Sequence, residues 1–141
     1  MTELNSYLHF NGNCEEAFNL YKSVFGGEFA MLSRLKDVPA GVPCPPGDPN
    51  HILHVSLPIG PHSMLMGSDV PDSVPKAVSG SNYSISVNVD SEEEANKTFN
   101  GLSAGGKVIM PLEKAFWGAL FGMCTDKFGV FWMVNHDYQK K

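Results

Sequence analysis

The chain has 141 residues, 43% of them hydrophobic and 18% charged, which is typical of one globular domain or two closely joined half-domains. Its net charge of −5 disfavours nucleic acid as a partner, because phosphate binding needs clustered Lys and Arg. No apolar run is long enough to cross a membrane, and the first residues lack a signal region. The three cysteines (Cys14, Cys44 and Cys124) have no close pairing, so we expect reduced thiols in a cytoplasmic protein.

The first half of the chain predicts one helix among several strands. A short mixed segment at 6–10 predicts a strand. Asn13, with Glu16 three residues later, has the spacing of a capping box, and apolar residues at helical spacing follow as far as Gly26. Further strands are predicted at 28–35, 52–59 and 63–66.

A proline-rich segment at 37–50 interrupts these strands. It holds five prolines and two glycines, which exclude regular structure. Loops of this length are often lids, arms or partner contacts, so a partner-binding role stays open.

The second half of the chain repeats the order of the first. A strand is predicted at 83–89, and Ser91 with Glu94 forms a second capping box before a helix that ends at Gly105. Strands are predicted at 107–112, 117–125 and 130–135. We therefore place a first βαβββ module at 1–70, a linker at 71–81 and a second module at 82–141.

The two helices also match residue by residue. Four pairs are each separated by 78 positions, which indicates that one structural unit is used twice. The pairs are Ala17 and Ala95, Tyr21 and Phe99, Val24 and Leu102, and Gly27 and Gly105.

Four segments resemble a known family. They are YLHFNGNCEEA at 7–17, His54, LMGSD at 65–69, and FWG at 116–118 followed by Gly122, TDKFG at 125–129 and Trp132. With these segments the chain resembles the PhnB-like branch of the vicinal oxygen chelate superfamily, which includes glyoxalase I, bleomycin-resistance proteins and extradiol dioxygenases.

The resemblance implies an α+β fold in which two βαβββ modules form a curved mixed sheet around a cleft, with the helices on the outer face. It also implies a homodimer that binds a small molecule in the cleft. Some members carry a label as ubiquinone-pathway methyltransferases. The sequence gives that label no support, because it has no strand-loop-helix with a glycine-rich turn for a nucleotide cofactor.

Metal-using relatives take their ligands from the first and last strands of each module. Counting back from the helix caps, these positions fall at Ser6 and Ser84, and on the last strands near Met66 and Met133. Hard divalent cations need carboxylate or imidazole ligands, which none of the four provides. We therefore predict no metal site and no cofactor, and a divalent metal held by atypical residues is the alternative.

His54 is the candidate catalytic residue. Its imidazole could act as a general acid or base near neutral pH, but no carboxylate partner is evident, and a histidine bonded to a neighbouring strand is the alternative. His51 and His54 are three residues apart on a predicted strand, so they would lie on opposite faces and could not share a metal ion. His9 is predicted to be a packing residue. The candidate ligand-binding residues, for which core packing is the alternative, are Met66, Phe116, Trp117, Phe121 and Met133.

These patterns favour a dimeric protein that binds a small molecule in the cleft without the usual metal centre. The alternative is a lyase or isomerase that acts on a small oxygenated metabolite and uses His54 or an atypical metal site. The fold alone does not decide between them, because one fold hosts many activities.

Overall fold

Each half of the chain folds through the same succession of elements. A computed structural model describes residues 2–138, and the chain divides into two units, Met1–Val78 and Ser79–Lys141. Each unit follows the order strand, helix and three strands. The predicted α+β fold of two βαβββ modules is thereby confirmed. Residues 139–141 of the predicted second module, and Met1, lie outside the described residues.

The first unit forms one mixed sheet. The elements in chain order are β1 (Ser6–Phe10), α1 (Cys14–Phe25), β2 (Met31–Arg34), β3 (Ile52–Ile59) and β4 (Ser63–Asp69). The strands lie in the order β1-β4-β3-β2, with β1 parallel to β4 and the other neighbours antiparallel. A 3₁₀ helix, Leu35–Asp37, follows β2.

The second unit consists of β5 (Ile85–Asn88), α2 (Glu92–Ser103), β6 (Lys107–Ala115), β7 (Ala119–Thr125) and β8 (Phe131–Asp137). Its strands form an equivalent sheet in the order β5-β8-β7-β6, again with the first and last strands parallel. The helix α2 begins and ends 78 positions after α1, at 92 and 103 against 14 and 25. None of the helices within 2–138 has the length and apolar character needed to cross a membrane.

One face of each sheet packs against the helix of its unit. In the first unit, Phe18 of α1 is fully buried and meets Phe10 of β1 edge to face, with 6.1 Å between ring centroids. The helix approaches β4 so closely that a Cβ on Gly67 would lie 2.6 Å from the Phe18 ring. In the second unit, a Cβ on Gly122 would lie 2.8 Å from Phe99 of α2. Glycine at these two positions lets the helices pack against the sheets.

The start of α1 differs from the prediction. Asn13 makes no side-chain capping bond, so the predicted capping box there is wrong. The buried carboxylate of Asp69, at the end of β4, caps the helix instead. Its Oδ1 accepts from the backbone N–H groups of Gly12 (2.8 Å) and Cys14 (3.0 Å), and its Oδ2 accepts from Ile52 (2.8 Å). Asp69 therefore joins β4, the start of α1 and the start of β3.

The start of α2 agrees with its prediction. The Ser91 hydroxyl accepts from the backbone N–H of Glu94 at 3.1 Å. The Glu94 carboxylate in turn accepts from the backbone N–H of Asp90 at 3.1 Å, one residue before the position in a standard capping box. Both caps are local in sequence, which is why the pattern predicted them.

Several strand ends also differ. The strand predicted at 28–35 is shorter, because the chain enters the 3₁₀ helix at Leu35, and the strand predicted at 63–66 continues to Asp69. Pairing with β7 extends β6 beyond residue 112, as far as Ala115. Trp117 lies in a turn rather than in a strand, because the Gly118 N–H donates to Ala115 at 3.2 Å and β7 begins only at Ala119.

The proline-rich segment is irregular beyond the 3₁₀ helix, as predicted. Backbone hydrogen bonds fasten it at two places. The Lys36 N–H donates to the carbonyl of Pro49 at 2.9 Å, and the Asp72 N–H donates to the carbonyl of Pro46 at 2.9 Å. This segment is therefore anchored to the first unit at both points.

A buried aspartate organises the second unit as well. Asp126 accepts from the backbone N–H groups of Phe128 (2.8 Å) and Val130 (3.1 Å) and from the Trp132 indole (2.9 Å). Asp126 therefore joins the turn at 126–130 to the indole of Trp132 on β8.

A two-pronged ion pair fastens α1 to β2. The two terminal nitrogens of the Arg34 guanidinium, Nη1 and Nη2, donate to the Glu15 carboxylate at 2.8 and 2.7 Å. The hydrogen bond from Arg34 lowers the pKa of the Glu15 carboxyl, and the same bond raises the pKa of Arg34.

We predict that Asp69→Asn lowers the free energy of unfolding by about 1–3 kcal/mol, because an amide nitrogen would then face a backbone N–H that now has an acceptor. Urea unfolding followed by circular dichroism measures the change. Asp72→Ala, which removes an exposed carboxylate three residues later, is the matched control and should cost less than about 0.5 kcal/mol. Equal stability of Asp69→Asn and the wild type would contradict the capping role.

We predict that Glu15→Gln lowers the free energy of unfolding at pH 7 by less than about 1 kcal/mol, since both partners are partly exposed. The pKa of Glu15 is lower in the folded state than in the unfolded state. The stabilisation that the ion pair contributes is therefore complete above the pKa of Glu15 in the unfolded state. It is lost as the pH falls through the pKa of Glu15 in the folded state.

Urea titrations between about pH 7 and pH 3 test this dependence. Glu93 is exposed and occupies the equivalent position of α2, 78 residues later, so Glu93→Gln is the matched control. The difference in free energy of unfolding between Glu15→Gln and the wild type should become smaller towards acid pH. The same difference for Glu93→Gln should stay constant. A difference that is independent of pH for Glu15→Gln would exclude the ion pair as its source.

Candidate functional site

The candidate site lies on the face of the first sheet that points away from α1. Side chains alternate along a strand, so Tyr7 and His9 of β1 lie opposite to the buried Leu8 and Phe10. The residues of β2, β3 and β4 that lie on the same face follow from their pairing in the strand register. We call it the first open face, and its main residues are Tyr7, His9, Ser33, His54, Ser56 and Met66.

An aromatic cluster occupies this face. The Tyr7 hydroxyl lies 3.2 Å from Nδ1 of His54, within hydrogen-bonding distance. The Tyr7 ring also lies 5.1 Å from the His9 ring and 5.6 Å from the His54 ring, each at an interplanar angle of 37°. Tyr7 therefore contacts both imidazoles. Tyr7 was not among the predicted site residues, although its alternation with Leu8 could have placed it beside His9.

A hydroxyl without a partner lies next to His54. Ser33 of β2 pairs with His54 of β3 in the sheet register. Within residues 2–138, its Oγ is buried and has no hydrogen-bond partner. Such groups are rare in folded proteins, and a catalytic role or a bound water or ion can account for them.

The second sheet has an equivalent open face, which we call the second open face. Met133 of β8 pairs with Ser86 of β5, and its sulfur accepts from the Ser84 hydroxyl at 2.8 Å. Phe121 of β7 pairs with Asn135 of β8. The Asn135 amide in turn donates to Asn88 at 3.0 Å and to Asp137 at 3.1 Å.

The two open faces place different residues at equivalent positions. Met66 pairs with Tyr7 and Ser56, as Met133 pairs with Ser86 and Met123. Two residues before Ser56 and Met123 lie His54 and Phe121. The predicted catalytic histidine and the predicted ligand-binding phenylalanine therefore occupy the same structural position in the two units.

The predicted metal position on β1 is wrong by one residue. Ser6 lies on the side of β1 that Leu8 and Phe10 share, so Tyr7, rather than Ser6, lies beside Met66 on the open face. The error arises because the offset of 78 that relates the two helices does not relate the first strands. Tyr7 pairs with Met66 as Ser86 pairs with Met133, and these two residues are 79 positions apart (86 − 7).

The corrected positions do not fit a divalent metal either. They are Tyr7 and Met66 in the first unit and, in the second, Met133 with Ser86, which pairs with it, and the predicted Ser84, whose hydroxyl donates to it. None of these side chains is a carboxylate or an imidazole. Across the described part of the chain, no group of three or more His, Cys, Asp or Glu side chains could hold an ion. The residues thus do not match the ligand set that metal-using relatives need.

Three aromatic rings run from the β6–β7 turn to the second open face. Phe116 and Trp117, in the turn, are 97% and 57% exposed. Their ring centroids lie 5.1 Å apart, and Trp117 lies 5.8 Å from Phe121. Three predicted ligand-binding residues of the second unit, Phe116, Trp117 and Phe121, thus form a continuous row of rings, and their role in binding stays a prediction.

The buried thiols are unsuited to chemistry. Cys14 and Cys124 are free and buried, and burial raises the pKa of both, that of Cys124 to about 11. Cys44 is exposed, and its thiol lies 3.6 Å from the carbonyl of Leu35.

The fold defined by these two units is that of the glyoxalase/bleomycin resistance/dioxygenase superfamily. A glyoxalase-related enzyme from Fulvimarina pelagi shares it with a TM-score of 0.62 at 18% identity, covering 96% of this chain and 89% of that one. The chain belongs to the PhnB-like family, because residues 2–135 match the family model described as 3-demethylubiquinone-9 3-methyltransferase. The resemblance seen in the sequence is thereby confirmed.

Three relatives extend this comparison. Protein YjdN of Escherichia coli (strain K12) is 31% identical over 140 residues, which cover 94% of this chain and 93% of the relative. The crystal structure of protein PA1353 from Pseudomonas aeruginosa is 43% identical, with a TM-score of 0.85 and coverage of 97% and 98%. The PhnB protein from Bacillus cereus is 27% identical, with a TM-score of 0.78 and coverage of 96% and 99%.

Proposed function

We propose that the chain is a small-molecule-binding protein that uses the open faces of its sheets and needs no metal ion or cofactor. The observation that carries the proposal is the chemistry of the first open face, where the hydrogen-bonded Tyr7 and His54 lie in a sheet beside Met66. Sites for small molecules combine apolar or aromatic walls with a few placed polar groups, and this face has that combination.

The second open face supports the same proposal with different residues. Phe121 and Met133 supply apolar surface, and Asn135 supplies an amide that is already oriented by two hydrogen bonds. Phe116 and Trp117 expose aromatic surface that water solvates poorly and on which a flat ligand could stack. We assign ligand contact to Met66, Phe116, Trp117, Phe121 and Met133.

Methyl transfer is not part of the proposal, although the family model carries a methyltransferase description. A nucleotide-bound methyl donor is commonly held by a glycine-rich turn between a strand and a helix. The strand-to-helix connections of this chain read Asn11-Gly12-Asn13 and Val89-Asp90-Ser91, and neither has that pattern.

We further propose a cytoplasmic homodimer. The edge strand β6 exposes the apolar residues Val108, Ile109 and Met110, and exposed edge strands with apolar side chains are usually covered by a partner. The two buried free thiols suit a reducing compartment. Light scattering that returned the mass of one chain would contradict the dimer.

We predict that Trp117→Ala weakens ligand binding by about tenfold, because it removes exposed aromatic surface. A panel of small keto acids, hydroxy ketones and aromatic acids, followed by tryptophan fluorescence, measures this. Trp117 is exposed and Trp132 is buried, so quenching in the wild type reports on Trp117. Isothermal titration measures the affinity of the variant.

Leu4→Ala removes a 99% exposed apolar side chain that lies before β1, and it is the control that should leave the affinity unchanged. The urea midpoint of Trp117→Ala should also stay close to that of the wild type. An unchanged affinity in Trp117→Ala would remove the aromatic turn from the site.

The second candidate function is a lyase or isomerase that acts on a small oxygenated metabolite. The bond between Tyr7 and His54 favours it, since catalytic imidazoles are commonly oriented by a second polar group. His54→Gln separates the two functions. Turnover that is lost in this variant while binding persists would establish the enzyme, and absence of turnover in the wild type across the panel would exclude it.

A further inference from the structure

The bond between Tyr7 and His54 determines which ring nitrogen carries the proton. A neutral imidazole has one N–H donor and one nitrogen lone pair. The Tyr7 hydroxyl lies 3.2 Å from Nδ1. Either atom can donate, depending on the tautomer of His54. A phenol hydroxyl is a stronger donor than a neutral imidazole N–H, which favours the arrangement in which Tyr7 donates and Nδ1 accepts. The proton of the neutral ring then sits on Nε2.

The position of the Tyr7 hydroxyl is itself constrained. Its ring lies between two imidazole rings. The distance between ring centroids is 5.1 Å to His9, two residues along β1, and 5.6 Å to His54 of β3. Its backbone is held by parallel pairing with Met66 in β4. Tyr7 thus presents its hydroxyl to His54 from a strand rather than from a mobile loop.

Two donors on this face are left without an acceptor. Among residues 2–138, Tyr7 is the hydrogen-bond partner of the His54 ring, which leaves Nε2–H available. The Ser33 hydroxyl has no partner either. Ser33 and His54 are directly paired across β2 and β3, where Cβ atoms typically lie about 5 Å apart. One oxygen atom of a ligand could accept from both once the buried Ser33 hydroxyl turns towards the face.

We propose that Tyr7 is a positioning residue that holds His54 as the Nε2–H tautomer, and that this N–H and the Ser33 hydroxyl together bind the carbonyl oxygen of a small keto compound. This inference rests on the proposed function, since it names the ligand class of the same open face. Neutral donors suit a neutral carbonyl oxygen, and they would strengthen as negative charge developed on that oxygen.

The tautomer is tested without any ligand. Protein labelled with ¹⁵N at histidine gives a separate signal for each ring nitrogen, and His54→Asn assigns those of His54. We expect a protonated Nε2 and an unprotonated Nδ1 in the wild type. In Tyr7→Phe, the two signals should move towards each other as both tautomers become populated.

Ser68→Ala is the matched control. It removes a hydroxyl from the same face, where Ser68 pairs with His9, and it leaves the bond between Tyr7 and His54 in place. Its His54 signals should equal those of the wild type. A protonated Nδ1 in the wild type, or identical spectra for Tyr7→Phe and the wild type, would overturn the positioning role.

The ligand class is tested with pyruvate, and lactate serves as the analogue that lacks the carbonyl. Pyruvate should shift the His54 Nε2 signal in a saturable way, and lactate should not. Ser33→Ala should weaken pyruvate binding by about two- to tenfold. Tyr7→Phe should weaken it by about twofold, because only part of the protein then holds the competent tautomer.

Equal binding of lactate, or no saturable shift with pyruvate, would overturn the carbonyl assignment. These failures are separable from failure of the proposed function. A wrong tautomer leaves binding at Trp117 untouched, and loss of all ligand binding leaves the tautomer measurement valid.

Discussion

Burial of one sheet face beneath each helix is the constraint on which the candidate site depends. Phe18 meets β4 at Gly67 and Phe99 meets β7 at Gly122, at distances that leave no room for a Cβ atom. With one face of each sheet buried in this way, strand alternation leaves every second residue for the other face. Asp69 reinforces this arrangement, because its carboxylate joins β4 to the starts of α1 and β3.

The duplicated scaffold presents different chemistry in its two halves. Met66 and Met133 occupy equivalent positions, but Tyr7 corresponds to Ser86, and His54 corresponds to Phe121. The first open face therefore carries hydrogen-bonding aromatic groups, and the second carries an aromatic ring with amides. Within residues 2–138, neither face brings together three or more His, Cys, Asp or Glu side chains of the kind that hold a hard divalent cation.

The sequence predicted the features that depend on local patterns. The 78-residue repeat placed both helices, and the Ser91 cap follows from residues three apart. The α1 cap could not be predicted in this way, because Asp69 reaches Gly12 from 57 residues away. The contact between Tyr7 and His54, 47 residues apart, likewise depends on sheet register.

One error came from extending the repeat too far. The offset of 78 holds for the helices, but the matching open-face residues Tyr7 of β1 and Ser86 of β5 are 79 positions apart, although both strand-to-helix connections have three residues. A one-residue slip moves a side chain to the opposite face of a strand. The prediction therefore named Ser6 at the position that Tyr7 occupies, and it missed Tyr7.

The central claim is that the open faces bind a small organic molecule without a metal ion. Native mass spectrometry of the wild-type protein, purified without chelator, tests this most directly, together with elemental analysis of the same sample. The account predicts a bound organic molecule that is released on unfolding, and no stoichiometric metal. Stoichiometric nickel, zinc or manganese without an organic ligand would contradict it.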